Sequence, residues 1–371
     1  MQLCVDIQSG LAQRAGVGRY TKALVEHLAL QAGSDRLRLF YFDFRGRGCS
    51  FLPAGAQQRV VRWLPGRVAG KLWMHGFGPA FDRFAGAADV YFFPNFILPP
   101  LTRGRSAVTL HDISFLRHPE AAEERNLRHL RRRIHDTARR ADVILTDSHF
   151  CAAEIREHLE VAPEKVHAIH LGLESTFRRP SDEVLAGYRR RAGLDKPYLL
   201  CIGTLEPRKN HGFLADVFDR LDADVDLVIA GQLGWKYEPI LERLAASPRS
   251  ARIHRLDYVD EADLPALYAG AELFVFPSLY EGFGFPPLEA MACGTPVVAA
   301  ARGSLPEVLG EGALLLDTFE TQTWADCISS LLQSPEERRA WSERGRQWCA
   351  RYTWQATADA TWNVFRSLGA S

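Results

Sequence analysis

The sequence has no surplus charge of either sign. Lys plus Arg and Asp plus Glu each number 45, so the formal net charge is zero, which argues against a basic nucleic-acid-binding protein. It has no uncharged apolar run of about 18 residues, so no membrane span is expected. None of its seven cysteines (4, 49, 151, 201, 293, 327 and 349) forms a CxxC pair. A scattered, odd set of this kind fits a reduced, cytosolic chain rather than a disulfide framework or a zinc site. The start "MQLCVDI" lacks a basic region followed by a long apolar stretch, so no signal peptide is expected. What is present is ordinary globular material: 371 residues, 47% hydrophobic and 24% charged. That is enough for two domains.

Short apolar runs alternate with longer helical patterns. In the first half the runs are "LCVDI" (3–7), "LRLFYFDF" (37–44), "DVYFFP" (89–94), "SAVTLHD" (106–112), "DVILTDS" (142–148) and "KVHAIHLG" (165–172). A polar, turn-rich stretch at 173–197 reads as an inter-domain linker carrying one helix. The alternation then restarts with "YLLCIGT" (198–204), "VDLVIAG" (225–231), "ARIHRLD" (251–257), "LFVFPS" (273–278), "PVVAA" (296–300) and "ALLLD" (313–317). Continuous apolar strands separated by helices predict parallel sheets covered on both faces. The expected fold is α/β, with two doubly wound, Rossmann-like domains facing across a cleft. The domains are placed at 1–174 and 175–353, with a helix at 354–371 crossing back to the first. Ligands are expected at the carboxyl ends of the strands.

Two motifs mislead. "AGVGRYT" (15–21) has Gly16 and Gly18 in GxG spacing, but Thr21 stands where a dinucleotide fingerprint wants a third small residue. Only a glycine at a helix N-terminus survives, open to a phosphate or simply making a tight turn. "LDADVDL" (221–227) contains DxD twice. Its acids precede their strand, at the edge of the sheet away from ligands, so a solvated turn is expected there.

Two other segments carry chemistry. In "CIGTLEPRKN" (201–210), Gly203 allows close approach and Pro207 stiffens the turn. Arg208 and Lys209 then sit near a helix N-terminus. Cations there oppose the helix dipole, which implies an anion, most economically a phosphate. In "YEGFGFPPLEAMACG" (280–294), Glu281 closes a strand and Gly282 and Gly284 free the backbone. Pro286 or Pro287 opens a helix whose first turn holds Glu289. Ionised carboxylates at these places can accept vicinal hydroxyls, as on a ribose.

With these residues in view, the chain resembles the retaining glycosyltransferases of family 4, which have the GT-B fold. "GTLEPRKN", "YEGFGFPPLEAMACGTPVVAA" and "GSLPEVLG" match that family's pattern, as do "GVGRYT" and "HDISFLRHPE". The resemblance implies transfer of a sugar from a nucleotide-sugar with retention, without metal or other cofactor. It puts Arg208 and Lys209 on the leaving diphosphate and Glu289 on the ribose. Glu281, with the N–H groups of Phe283 and Gly284, goes to the donor sugar, and His111 near the reaction centre. Gly16, Gly203, Thr204, Gly282 and Phe285 join the donor site, and the backbone of Tyr258 and Val259 meets the base. Many relatives carry an arginine where this chain has Thr204, so either Arg208 or the Thr204 hydroxyl takes that task.

The variants of these motifs look most like bacterial mannosyltransferases of polysaccharide and O-antigen assembly, so GDP-mannose is the expected donor. A GDP-6-deoxyhexose, a UDP-sugar or a sugar-nucleotide epimerase is the alternative. The expected acceptor is a glycan or lipid-linked saccharide, and no nucleic acid is involved. The segments 125–141, with seven arginines, and 59–84, mixing Arg and Lys with Trp and Phe, read as basic amphipathic stretches. They suggest a cytoplasmic protein in peripheral contact with the inner membrane. The alternative is a solvated helix face and a loop packed on the sheet.

Overall fold

The computed structural model describes residues 1–12, 16–74, 77–117 and 124–370, with the side chains of 74, 124–130 and 132 left aside. Part of "HDISFLRHPE" and several arginines of the 125–141 segment therefore lie outside the described residues.

The chain divides into two compact units. The first comprises Met1–Ile113, Arg128–Gly172 and Tyr352–Ser371, and the second Ser114–Leu127 and Leu173–Arg351. The first unit holds seven strands: β1 (Gln2–Asp6), β2 (Arg36–Phe42), β3 (Gln57–Val61), β4 (Val90–Phe93), β5 (Arg105–Thr109), β6 (Val143–Thr146) and β7 (Val166–Ala168). They form one parallel sheet in the order β3-β2-β1-β4-β5-β6-β7. The second unit holds β8 (Tyr198–Ile202), β9 (Asp226–Ala230), β10 (Ile253–Leu256), β11 (Leu273–Phe276), β12 (Val297–Ala300) and β13 (Leu314–Leu316). Their order, again all parallel, is β10-β9-β8-β11-β12-β13.

Both sheets are doubly wound, and the interior strands show why. Every residue of β4, β6, β11 and β12 is buried, as expected when helices cover both faces. In each sheet the strand order reverses beside the first strand, between β1 and β4 and between β8 and β11. Those two points open a crevice at the carboxyl edge.

Two features go beyond the sequence reading, each for a physical reason. β3 is absent from the sequence reading because four of its five residues are half or fully exposed, the pattern of an edge strand. The 173–197 stretch carries one helix, as expected, and is also packed in place. Its helix Asp182–Ala192, capped by Ser181 and by left-handed Gly193, buries Tyr188, and Leu194 is buried just beyond it. Both anchor the stretch in the second unit.

The chain's last helix, Trp354–Ala370, packs on the first unit. Trp362 is buried and donates its Nε1 hydrogen to the Leu28 carbonyl at 3.0 Å. The Thr357 hydroxyl donates to the His170 carbonyl at 2.8 Å. Phe365 meets Phe92 of β4 with ring centroids 5.0 Å apart. At Gly172 a Cβ would stand 2.1 Å from the Trp354 backbone nitrogen, so only glycine lets the helix seat here. Trp362→Ala should destabilise the protein by about 3–5 kcal/mol, read by urea unfolding. A change near zero would show that this helix is not part of the first unit's core.

Candidate active site

At the second unit's switch point the loops after β8 and β11 are joined through their backbones. The Leu279 N–H donates to the Arg208 carbonyl at 2.8 Å, and the Ser278 hydroxyl oxygen lies 3.2 Å from the same oxygen. After β8 the chain makes a short 3₁₀ turn, Pro207–Lys209. Asn210, left-handed at φ 59°, then starts the helix His211–Asp219. The two cations thus sit at a helix N-terminus, and the stem of Lys209 runs over Gly203, where Cδ lies 3.4 Å from the place of a Cβ.

What faces them is Glu281. The Lys209 ammonium lies 2.6 Å from its Oε1, and the Arg208 guanidinium 3.1 Å from its Oε2. The Ser278 hydroxyl donates to Oε1 at 2.6 Å. Arg208 also donates to the Tyr280 carbonyl at 2.7 Å and pairs with buried Glu206 at 2.7 Å. Burial alone would raise the Glu281 carboxyl. The charges and hydrogen bonds of Lys209, Arg208 and Ser278 more than offset that and hold its pKa at about 2. Burial raises the Glu206 pKa, with Arg208 and Lys209 opposing. Two cations and two carboxylates therefore form one nearly neutral, largely buried cluster. Glu206 and Ser278 were not singled out in the sequence, although both lie within three residues of Arg208 or Glu281.

The acidic loop is fixed from behind by "GSLPEVLG". The Ser304 N–H and hydroxyl both donate to the Glu281 carbonyl at 3.0 Å, and the hydroxyl also reaches the Phe283 carbonyl at 3.0 Å. A Cβ on Gly303 would stand 2.7 Å from the Glu281 backbone, and one on Gly284, at φ 108°, 2.7 Å from Leu305. Both positions demand glycine. Gly282 and Phe283 are buried in this loop, and Phe283 and Phe285 pack edge to face with centroids 5.3 Å apart.

Glu289 departs from expectation. The helix begins at Phe285, with Pro286 and Pro287 in its second and third positions, so Glu289 is in the second turn rather than the first. Its carboxylate is 2% exposed and accepts the Tyr268 hydroxyl at 2.7 Å. A ligand reaches it only if neighbouring groups move. Thr204 is exposed just after β8. Tyr258 and Val259 follow β10, two strands out along the same sheet.

Gly16 and His111 belong to the first unit. Gly16, exposed and at φ 55°, precedes the helix Val17–Leu30. His111 follows β5, with Nδ1 2.8 Å from Asp147 and Nε2 3.2 Å from the Pro94 carbonyl. Both neighbours accept, so a doubly protonated ring satisfies them best. Burial lowers the His111 pKa, but Asp147, the Pro94 carbonyl and Asp112 outweigh it and raise it overall. The acids of "LDADVDL" lie at the amino end of β9. Asp224 and Asp226 pair with Arg252 at 2.6 and 2.9 Å, and Asp226 also with His254 at 2.7 Å.

This arrangement, two parallel Rossmann-like sheets with a cation–carboxylate cluster at the switch point of the second, is that of a GT-B transferase. The pattern "Glycosyl transferases group 1" matches residues 189–348, and "Glycosyltransferase Family 4" matches 14–177. A protein of Escherichia coli named O-antigen chain mannosyltransferase B is 31% identical over 374 residues, covering 95% of this chain and 96% of its own. Among solved structures, sucrose-phosphate synthase from Thermosynechococcus elongatus aligns with a TM-score of 0.78 at 21% identity, covering 100% of this chain and 99% of that one. Anabaena HepE in complex with UDP-glucose aligns with 0.73 at 18%, covering 99% and 100%. The chain belongs to the family 4, group 1 glycosyltransferases.

His211, also missed in the sequence, gives the site a pH signature. It is fully buried, and neither ring nitrogen has a hydrogen-bond partner among the described residues. Burial, with the Lys209 charge adding to it, lowers its pKa from 6.5 to about 4. The unfolded chain therefore binds a proton near pH 6.5 that the folded one refuses until about pH 4. Stability should fall through that window as pH drops, by up to roughly 3 kcal/mol. Glu281, lowered from 4.5 to about 2, adds a further loss as pH falls below 4.5. Thermal unfolding against pH should show the upper slope flattened in His211→Leu. An unchanged slope would assign it to another group.

Proposed function

We propose that this glycosyltransferase is a retaining, metal-independent mannosyltransferase that takes GDP-mannose in its second unit and a saccharide acceptor in its first. The observation that carries the reading is the Arg208–Lys209 pair, ordered at the carboxyl edge of β8 against Glu281. The choice of mannose is supported by the name of the full-length relative. A GDP-6-deoxyhexose or a UDP-sugar is the alternative donor, the latter because the HepE structure holds UDP-glucose.

In this reading the bond between the anomeric carbon and the diphosphate oxygen breaks, and its electron pair leaves with the diphosphate. Arg208 and Lys209 stabilise the charge that develops there. The acceptor hydroxyl adds on the same face and passes its proton to the departing phosphate oxygen. Glu281 supports the positive charge growing on the sugar, His111 sits beside the reacting carbon, and Glu289 takes the ribose hydroxyls. Two side-chain cations in place of a divalent ion fit the state of the DxD acids Asp224 and Asp226, which are engaged by Arg252 and His254 at the opposite edge of the sheet.

Because Glu281 and Glu206 neutralise the cations, an incoming diphosphate competes with Glu281 for them. Glu281→Gln should therefore bind GDP roughly tenfold more tightly by calorimetry, while turnover falls roughly a hundredfold or more. Weaker GDP binding in that variant would sink the competition. GDP-mannose should raise the melting temperature equally with and without EDTA. Loss of the shift on chelation would overturn metal independence, and a shift by UDP-sugars alone would overturn the donor.

No helix among the described residues is long and apolar enough to cross a membrane. The 59–84 segment nevertheless exposes Trp63 (71%) and Phe77 (68%) beside Arg62, Arg67 and Lys71, while its Phe81 and Phe84 are buried. This pattern supports peripheral binding to anionic lipid. Flotation with anionic vesicles should carry the protein at low salt and release it at high salt. Failure to float at any salt would rule the contact out.

A further inference from the structure

Strand β5 ends at Thr109, and His111 follows it. Its neighbour β6 ends at Thr146, and Asp147 comes next. Parallel pairing brings both strand ends to one edge of the sheet, so two residues 36 positions apart meet there. Ser148 then caps the helix His149–Leu159, its hydroxyl accepting the Cys151 N–H at 3.1 Å. Asp147 is thereby fixed between a buried strand and a capped helix. It is buried, and His111 Nδ1, 2.8 Å away, is the one hydrogen-bond partner of its carboxylate among the described residues.

The other ring nitrogen is committed as well. Nε2 lies 3.2 Å from the carbonyl of Pro94, which follows β4. A carbonyl oxygen and an ionised carboxylate can only accept. Tyr20, of the helix Val17–Leu30, packs edge to face on the imidazole with centroids 4.7 Å apart, and its own hydroxyl is bonded to Thr109 at 3.0 Å. One ring is thus held from three strand ends and a helix, and neither of its nitrogens is left open to a ligand.

The surroundings set its charge. Burial disfavours the imidazolium, but Asp147, the Pro94 carbonyl and Asp112 outweigh it and hold the His111 pKa above the ordinary 6.5. Burial raises the Asp147 carboxyl, with the His111 charge opposing. The other titratable groups beside the pair are Tyr20 and Cys151. Burial pushes both of these up, so they stay uncharged. Either member of the pair would be unfavourable alone, and each supports the other.

We propose that Asp147 is a positioning residue that fixes His111 as an imidazolium, so that His111 serves the transfer as a stationary positive charge and not as a base. A ring that donates from both nitrogens has no lone pair for the acceptor's proton. A positive charge beside the reacting carbon opposes the charge growing on the sugar and favours the charge growing on the departing diphosphate. The useful part of its field is therefore the part felt by the leaving group. This inference rests on the reading that puts His111 at the reaction centre, and it adds the charge state and the residue that sets it.

The test pairs a ring spectrum with a rate profile, both on the full chain. With nitrogen-15 histidine incorporated, and His111 assigned by its loss in His111→Gln, both ring nitrogens should carry protons at about pH 7.5. In Asp147→Asn the amide oxygen can still accept from Nδ1, but the second proton should be lost near neutral pH. Turnover of GDP-mannose by that variant should fall roughly tenfold or more at about pH 7.5. Relative to the wild type it should recover as pH falls and the ring recharges, which a merely structural loss would not do. A wild-type ring with one bare nitrogen at that pH overturns the proposal, and so does an Asp147→Asn profile parallel to the wild type's. The wild-type spectrum decides the charge state by itself should Asp147→Asn fail to fold. It needs no substrate, so a wild type that does not turn over GDP-mannose counts against the donor reading and not against the ion pair.

Discussion

The second unit is organised around the ion pair between Lys209 and Glu281, 2.6 Å long and almost wholly buried. Burying either charge alone would be strongly unfavourable. Together, with Arg208, Glu206 and Ser278 completing the hydrogen bonds, they make a tolerable and sharply positioned group. The pair joins the loop after β8 to the loop after β11, the two strands between which the sheet order reverses. Gly303, Ser304 and Gly284 then fix the acidic loop's backbone from behind. The fold thus supplies a crevice, and the ion pair decides which side chains face it.

The same topology recurs in the first unit with different contents. Its crevice between β1 and β4 holds a roomy cavity with spare cations rather than a compensated cluster. In the second unit the charges at the switch point are paired, whereas Arg67, Lys71 and Arg133 beside the first unit's cavity have no hydrogen bond or salt bridge among the described residues.

Much of this was legible in the sequence because buried parallel strands are written as unbroken apolar runs. β4, β6, β11 and β12 all fall within runs read that way. β3 did not show because its side chains face solvent. The polar 173–197 stretch hid two anchors, Tyr188 and Leu194, that only packing reveals. Arg208, Lys209 and Glu281 stood out as charged groups at strand ends, but their mutual neutralisation did not, since residues 72 positions apart carry no sign of being neighbours. Glu289 was placed one or two residues too early in its helix because a helix can begin before its prolines. His211 looked like any helix-starting residue, and its burial became visible only in three dimensions.

The account stands on Glu281 being ionised and clamped between two cations, and a carbon-13 titration of its side-chain carboxyl tests that directly. The resonance should stay in its ionised position down to a midpoint of about 2, and move upward in Lys209→Ala. A wild-type midpoint at or above the ordinary 4.5 would mean that the cations do not hold this carboxylate, and the exchange with an incoming diphosphate would have no basis.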